Sequence, residues 1–111
     1  MDERRKFERV RLPESAAVYV LDENGQRIGR VRKLGSGGLL LETSTKLVEG
    51  SPHHVVLLEE SERIQRLLVV VVRHCSLGAV TLEFRALDIE AAIDIGILIG
   101  KYSPTVQAAC A

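Results

Sequence analysis

Three arginines near the start of the chain, Arg4, Arg5 and Arg9, are the residues best suited to binding chemistry. Arg5 and Arg9 stand four positions apart, so their guanidinium groups can converge on one ligand. A guanidinium is always charged, pairs with phosphate oxygens in a bidentate manner, and can donate to guanine O6 and N7 or stack on a purine. These residues indicate an anion site, although for such a segment alone a solvated charged arm is the commoner outcome.

A glycine-rich segment is the second candidate, with the sequence Lys33-Leu34-Gly35-Ser36-Gly37-Gly38. Glycines let the backbone approach a ligand closely and let free N–H groups face an anion, while Ser36 adds a hydroxyl. A bulge or a tight turn explains a glycine-rich strand connection more often than a ligand site does. The segment therefore gains weight only in combination with the arginines.

The chain as a whole is neutral, because 15 Lys and Arg residues balance 15 Asp and Glu residues. A neutral protein exerts no strong long-range attraction on nucleic acid or on an anionic membrane. Aromatic residues make up only 4% of the chain, which leaves few stacking platforms and argues against a DNA- or RNA-binding barrel. Besides the start of the chain, basic residues form a second patch of Arg27, Arg30, Arg32 and Lys33. Such local patches suit a small anionic ligand better than a long polyanion.

Other reactive residues do not form a recognisable site. His53 and His54 are neighbours, so on a strand they point to opposite faces and cannot share a metal ion, and His74 and Cys75 face the same constraint. Cys75 and Cys110 lie in no metal or redox spacing and are expected to be free thiols. No serine-elbow or paired-carboxylate motif stands out. We therefore predict a binding module without catalytic residues, metal or cofactor, and not an enzyme.

The length of 111 residues suits one domain with a single core. Alternating β-favouring residues, short apolar stretches and one continuous β-branched run, 67–72, predict six short strands, at 16–21, 26–34, 39–43, 55–58, 67–72 and 79–84. Asn24-Gly25 predicts a hairpin between the first two strands, because both residues tolerate a positive φ angle. The expected fold is all-β with a C-terminal helix: a six-stranded antiparallel barrel whose end or open face the helix covers.

The last part of the chain changes to a helical period, with Asp88 at the N-cap position and Pro104 beyond the end. The residues expected to recur on one face of this helix are Ile89, Ala92, Ile93 and Ile97, followed by Gly100 or Lys101. The single domain then divides into an arginine-bearing arm (1–13), the barrel (14–86), the helix (87–103) and a tail (104–111).

The location of the protein is also predicted from its apolar segments. No apolar stretch follows Met1, and the longest apolar run, 67–72, is too short to span a membrane. We therefore expect a cytoplasmic protein. The sequence leaves its oligomeric state open between a monomer and a homodimer.

The order and spacing of these features resemble the PilZ domain family of bacterial receptors for cyclic di-GMP. That family opens with an RxxxR arm, matched here by Arg5 and Arg9 with Arg4 before them, and later carries a D/N-x-S-x-x-G turn, at whose position 33–38 falls. The resemblance covers nearly the whole chain and implies a six-stranded antiparallel barrel with a C-terminal helix. It also implies that the arm arginines hold guanine and phosphate, while the turn contacts the other guanine edge.

Two positions of the turn depart from the family's pattern. Lys33 stands where the family has Asp or Asn, and Gly35 stands where it has Ser. An Asp or Asn oxygen can accept from guanine N1–H and N2–H, whereas lysine offers only donors. Losing that acceptor costs about 1–3 kcal/mol, roughly ten- to a hundredfold in affinity. Ser36, one position later, is a candidate source of the missing hydroxyl.

The resemblance therefore implies a receptor that binds cyclic di-GMP and relays the signal to a downstream protein. The implied ligand contacts are Arg4, Arg5, Arg9, Lys33, Gly35, Ser36, Gly37 and Gly38. The two departures keep a second hypothesis open, in which a degenerate PilZ domain binds no nucleotide and serves as a protein-interaction module.

Overall fold

The computed structural model describes residues 9–103, which form seven strands and one helix. The strands are β1 (Val10–Arg11), β2 (Val18–Leu21), β3 (Arg27–Leu34), β4 (Gly38–Glu42), β5 (Pro52–Glu59), β6 (Ile64–Ser76) and β7 (Ala79–Arg85). The helix, α1, spans Ile89–Tyr102.

Six of the strands close into an antiparallel barrel. The hydrogen-bonded order is β1-β3-β2-β5-β6-β7-β4, and a further pairing of β3 with β4 closes the ring from β3 to β4. Strand β1 lies outside this ring and pairs only with the last two residues of β3. The predicted six-stranded antiparallel barrel with a C-terminal helix is confirmed.

Two features of the sheet differ from the sequence-based expectation. Strands β5 and β6 extend well beyond the apolar runs 55–58 and 67–72. The expected strands were too short because the ends of the observed ones carry exposed polar residues such as Gln65 and Arg73, which give no apolar signal. Strand β1 lies within the charge-rich segment that we expected to be an arm, where no alternation of apolar and polar residues indicates a strand. Its position next to β3 becomes important for the site.

The barrel interior is filled by alternating residues of all six strands. Its fully buried members include Val18, Val20, Val31, Leu34, Leu39, Leu41, Leu57, Val70 and Leu82. Gly29 on β3 is part of this tight packing, since a Cβ there would lie 2.4 Å from the carbonyl oxygen of Glu42. The barrel therefore has one continuous apolar core, to which α1 contributes Ala91, Ile95 and Leu98.

The helix begins as predicted, with the Asp88 carboxylate accepting a hydrogen bond of 2.7 Å from the backbone N–H of Ala91. Its predicted apolar face is wrong, however. The buried residues are Ala91, Ile95 and Leu98, whereas Ile89, Ala92, Ile93 and Ile97 are exposed. The helix is apolar almost all round, so the spacing alone did not distinguish the two stripes. Within residues 9–103, no helix is long and apolar enough to cross a membrane.

A buried carboxylate connects the end of α1 to the turn between β5 and β6. The side chain of Glu59 is fully buried and accepts hydrogen bonds from Ser61 Oγ at 2.6 Å, from the Glu62 backbone N–H at 2.5 Å and from Tyr102 OH at 3.2 Å. Lys101 Nζ lies 3.5 Å away. Burial acts to raise the pKa of Glu59, but these hydrogen bonds and the Lys101 charge together lower it below its ordinary value.

Candidate functional site

The end of the arm is fixed to the barrel beside the glycine segment. Strand β1 pairs with β3 in the register Val10 to Leu34 and Arg11 to Lys33, and the Leu12 backbone N–H donates to the Arg32 carbonyl at 2.9 Å. Because the pairing is antiparallel, the residue before Val10 is next to the segment that follows Leu34. The topology thus brings Arg9 to Gly37 and Gly38, which lie 28 and 29 positions later in the chain.

The connection from β1 to β2 is held by two arginines of the second basic patch. Arg32 Nη2 donates to Glu14 Oε1 at 2.9 Å, and Arg30 Nη2 donates to the carbonyl oxygens of Pro13 and Ala16 at 3.5 and 3.4 Å. The hydrogen bond from Arg32 lowers the pKa of Glu14. Arg30 and Arg32 therefore stabilise the connection between β1 and β2.

The glycine segment forms a tight turn between β3 and β4. The Gly35 backbone N–H donates to the Gly38 carbonyl at 2.9 Å, and the Phe84 N–H donates to the Gly37 carbonyl at 2.9 Å. A Cβ at Gly38 would lie 2.2 Å from the Leu82 carbonyl oxygen. Gly38 is thus required by the close approach of β4 to β7, independently of any ligand.

A surface pocket of about 190 Å³ opens where the arm meets this turn. It is lined by Arg9, Gly37, Gly38, Arg73, Thr81 and Glu83. Arg73 Nε and Nη2 both donate to Glu83 Oε1, at 3.0 and 2.5 Å. This hydrogen bonding, with the charges of Arg73 and Arg85, lowers the pKa of the Glu83 carboxyl despite partial desolvation. The pocket therefore offers two guanidinium groups and one ionised carboxylate.

Three of the residues predicted from sequence meet in this pocket, namely Arg9, Gly37 and Gly38. Other predicted residues lie near it without lining it. Lys33 is half-buried on β3 opposite Leu40, Gly35 is buried in the turn, and Ser36 is exposed there. Arg4 and Arg5 fall outside the described residues.

The sequence analysis missed Arg73, Thr81 and Glu83 as site residues. Their positions follow from sheet register, in which Gly38 is paired with Glu83 and Leu40 with Thr81. An irregularity in the pairing of β6 with β7 falls around Arg73. Thr81 and Glu83 alternate with the buried Val80 and Leu82 on β7 and so share its outer face, but the sequence of one strand does not show which strands pair with it.

A larger open groove of about 1180 Å³ lies elsewhere on the barrel, with Leu47 and Leu77 among its walls. Arg27 and Arg30 border it, but both are engaged. Arg27 lies over the Tyr19 ring at 3.5 Å, and Arg30 bonds to backbone carbonyls of the β1–β2 connection. This groove contains neither Arg9 nor the glycine segment.

The histidines and cysteines do not assemble a metal site in the described part of the chain, where no group of three or more His, Cys, Asp or Glu side chains can hold an ion. His74 Nδ1 lies 4.0 Å from a Glu49 carboxylate oxygen. Cys75 is a free cysteine, and Cys110 lies outside the described residues.

Comparison with protein families gives one match, the model of the PilZ domain, over residues 3–100. The chain belongs to the PilZ domain family. PilZ domains are receptor domains for cyclic di-GMP and not enzymes, in agreement with the binding module predicted from the sequence. A comparison with curated proteins found no match.

Three solved structures share the fold of this chain. The PilZ domain of YcgR from Escherichia coli, solved with c-di-GMP, has a TM-score of 0.74 at 12% identity over 96% of this chain and 97% of that one. The K. pneumonia MrkH–c-di-GMP complex has a TM-score of 0.70 at 18% identity over 88% of this chain and 52% of that one. The PilZ domain of CeSA from a cellulose-synthesizing bacterium has a TM-score of 0.62 at 16% identity, over 85% and 96% respectively.

Proposed function

We propose that this PilZ domain binds cyclic di-GMP in the pocket between its arm and its glycine segment. The observation that carries the proposal is the meeting of Arg9 with Gly37 and Gly38 in one pocket, although the two motifs are far apart in sequence. Family membership supports it, as do the two similar structures whose descriptions name c-di-GMP.

The proposed binding chemistry is that of an arginine clamp. Arg9 donates to a phosphate oxygen or to the O6/N7 edge of guanine, and Arg4 and Arg5 complete the clamp from the arm. The backbone of the glycine segment supports the ligand from the barrel side through Gly35, Ser36, Gly37 and Gly38, and Lys33 adds positive charge nearby. Neither a metal ion nor a cofactor takes part.

In this proposal the protein transmits a conformational signal and performs no chemical step. Ligand binding fixes the arm against the barrel and thereby changes the surface that a downstream protein contacts. We place this receptor in the bacterial cytoplasm, as a monomer or a homodimer.

Titration calorimetry with cyclic di-GMP tests the proposal. We expect heat of binding for the unaltered protein and an affinity at least about tenfold lower for Arg9→Ala, because hydrogen bonds from a charged donor to the ligand are lost. Arg11→Ala is the matched control, because this substitution removes the same charge from an exposed residue that does not line the pocket. Absence of binding at high micromolar protein would overturn the proposal.

A second candidate function is protein interaction by a degenerate PilZ domain, favoured by Lys33 and Gly35 at the two altered motif positions. The double variant Lys33→Asp with Gly35→Ser discriminates between the two functions in the same calorimetric assay. A protein that binds nothing until these residues are restored would be a degenerate domain. Binding by the unaltered protein, with little gain on restoration, would favour the receptor.

A further inference from the structure

We propose that Glu83 reads the guanine base of the ligand and so replaces the acceptor that the family's Asp or Asn provides. This inference rests on the proposed function. It assigns a specificity role to a β7 residue outside both sequence motifs, and it explains how a PilZ domain with lysine at position 33 can still select guanine.

Lys33 and Glu83 lie at different positions relative to the pocket. Lys33 does not line the pocket, and its ammonium group has no acceptor to offer guanine. Glu83 does line the pocket, and it is the β7 partner of Gly38, the last residue of the motif. A carboxylate therefore lies beside the glycine turn, contributed by the neighbouring strand.

The Glu83 carboxylate accepts hydrogen bonds on only one of its two oxygens within residues 9–103. Arg73 uses two N–H groups on the single oxygen Oε1, and among residues 9–103 no donor contacts the other oxygen, Oε2. A carboxylate has about four lone-pair sites, two on each oxygen, so the two Arg73 hydrogen bonds fill Oε1 and leave Oε2 open to further donors. The Glu83 side chain is about one-third exposed, at 35%, which leaves it accessible to a ligand. Arg73 thus holds the group in place and ionised without using all its acceptor capacity.

The purine bases differ in the donors and acceptors that they present to a carboxylate. Guanine presents two adjacent donors, N1–H and N2–H, and both can donate to the open oxygen Oε2 of Glu83. Adenine presents an acceptor at N1 in the same place, so its lone pair faces the carboxylate oxygens unfavourably. Hypoxanthine keeps N1–H and lacks the N2 amino group. Glu83 should therefore favour cyclic di-GMP over cyclic di-AMP, with cyclic di-IMP between them.

The competing role for Glu83 is to neutralise Arg73 and thereby keep an anion out. The two roles predict opposite changes in affinity when Glu83 is removed. Removal of a neutralising carboxylate would strengthen binding of every cyclic dinucleotide. Removal of a base-reading carboxylate would weaken binding of the guanine ligand selectively.

The experiment measures affinities for cyclic di-GMP, cyclic di-IMP and cyclic di-AMP by calorimetry, with unaltered protein, Glu83→Ala and Glu83→Gln. Glu23→Ala, at an exposed position in the β2–β3 turn, is the matched control for lost charge. We expect Glu83→Ala to bind cyclic di-GMP about tenfold or more weakly and to lose most of its preference over the other two ligands. Glu83→Gln, which keeps one acceptor and the side-chain shape, should be intermediate.

An unchanged preference, or tighter binding of all three ligands by Glu83→Ala, would overturn the Glu83 role while leaving the receptor function intact. Failure of the unaltered protein to bind any of the three would instead overturn the receptor function, and the Glu83 role with it. Thermal unfolding of each variant establishes that it is folded before its affinity is compared.

Discussion

Val10 and Leu34 are partners in an antiparallel pair that joins the arm to the barrel. The arginine that precedes Val10 and the glycine turn that follows Leu34 consequently line a common pocket. Neither motif alone makes a site, since charged arms and glycine turns are both common without a ligand. Their juxtaposition through β1 and β3 is the structural basis of the proposed receptor.

The glycine at the start of β4 should be essential for stability, whatever its role in binding. Gly38→Ala places a Cβ against the Leu82 carbonyl oxygen, and the three nearest atoms are all backbone atoms of β7, which cannot move aside as a flexible side chain would. We expect a loss of about 1–3 kcal/mol in the free energy of unfolding, measured by urea denaturation.

The matched control for Gly38 is Gly96 on α1, where an added Cβ meets nothing within 4 Å. Gly96→Ala should stabilise the protein by about 0.5–1 kcal/mol, because alanine has the higher helix propensity. Equal effects of the two substitutions would show that the close approach of β4 to β7 does not constrain Gly38.

The buried carboxylate of Glu59 should make the fold sensitive to acid. Its pKa is lowered in the folded protein, so its stabilising contribution is present above the unfolded pKa of about 4.3 and is lost as the pH falls through the folded value. Thermal unfolding from pH 7 to pH 3 measures this loss. Glu59→Gln removes the titrating group, so its melting temperature should fall less steeply over the acid part of that range. Parallel curves for the two proteins would contradict the assignment.

The two apolar stripes of α1 should differ sharply in their contribution to stability. Ile95→Ala removes a fully packed side chain and should cost about 2–5 kcal/mol. Ile93→Ala, at a position 56% exposed, should change the free energy of unfolding by no more than about 0.5 kcal/mol. Urea denaturation of both variants measures the difference, and a larger effect at Ile93 would show that the helix packs through its other face.

The barrel itself was predictable because alternation, turn residues and the late helical period all agreed. The face of α1 was not, since a helix with isoleucines on both sides gives no clear direction in sequence. Arg9, Gly37 and Gly38 were proposed together from motif spacing, and the β1–β3 pairing explains why they line one candidate pocket. Arg73 and Glu83 could not, because their place in the pocket depends on the register of β6, β7 and β4.

The central claim is tested most directly by following backbone amide NMR signals while cyclic di-GMP is added to the isotope-labelled protein. We predict that the largest shifts occur at Arg9, Gly37, Gly38, Arg73 and Glu83, while the signals of α1 change little. Saturating ligand that leaves these five signals unmoved, or that shifts mainly the residues of the large open groove, would contradict the proposed site.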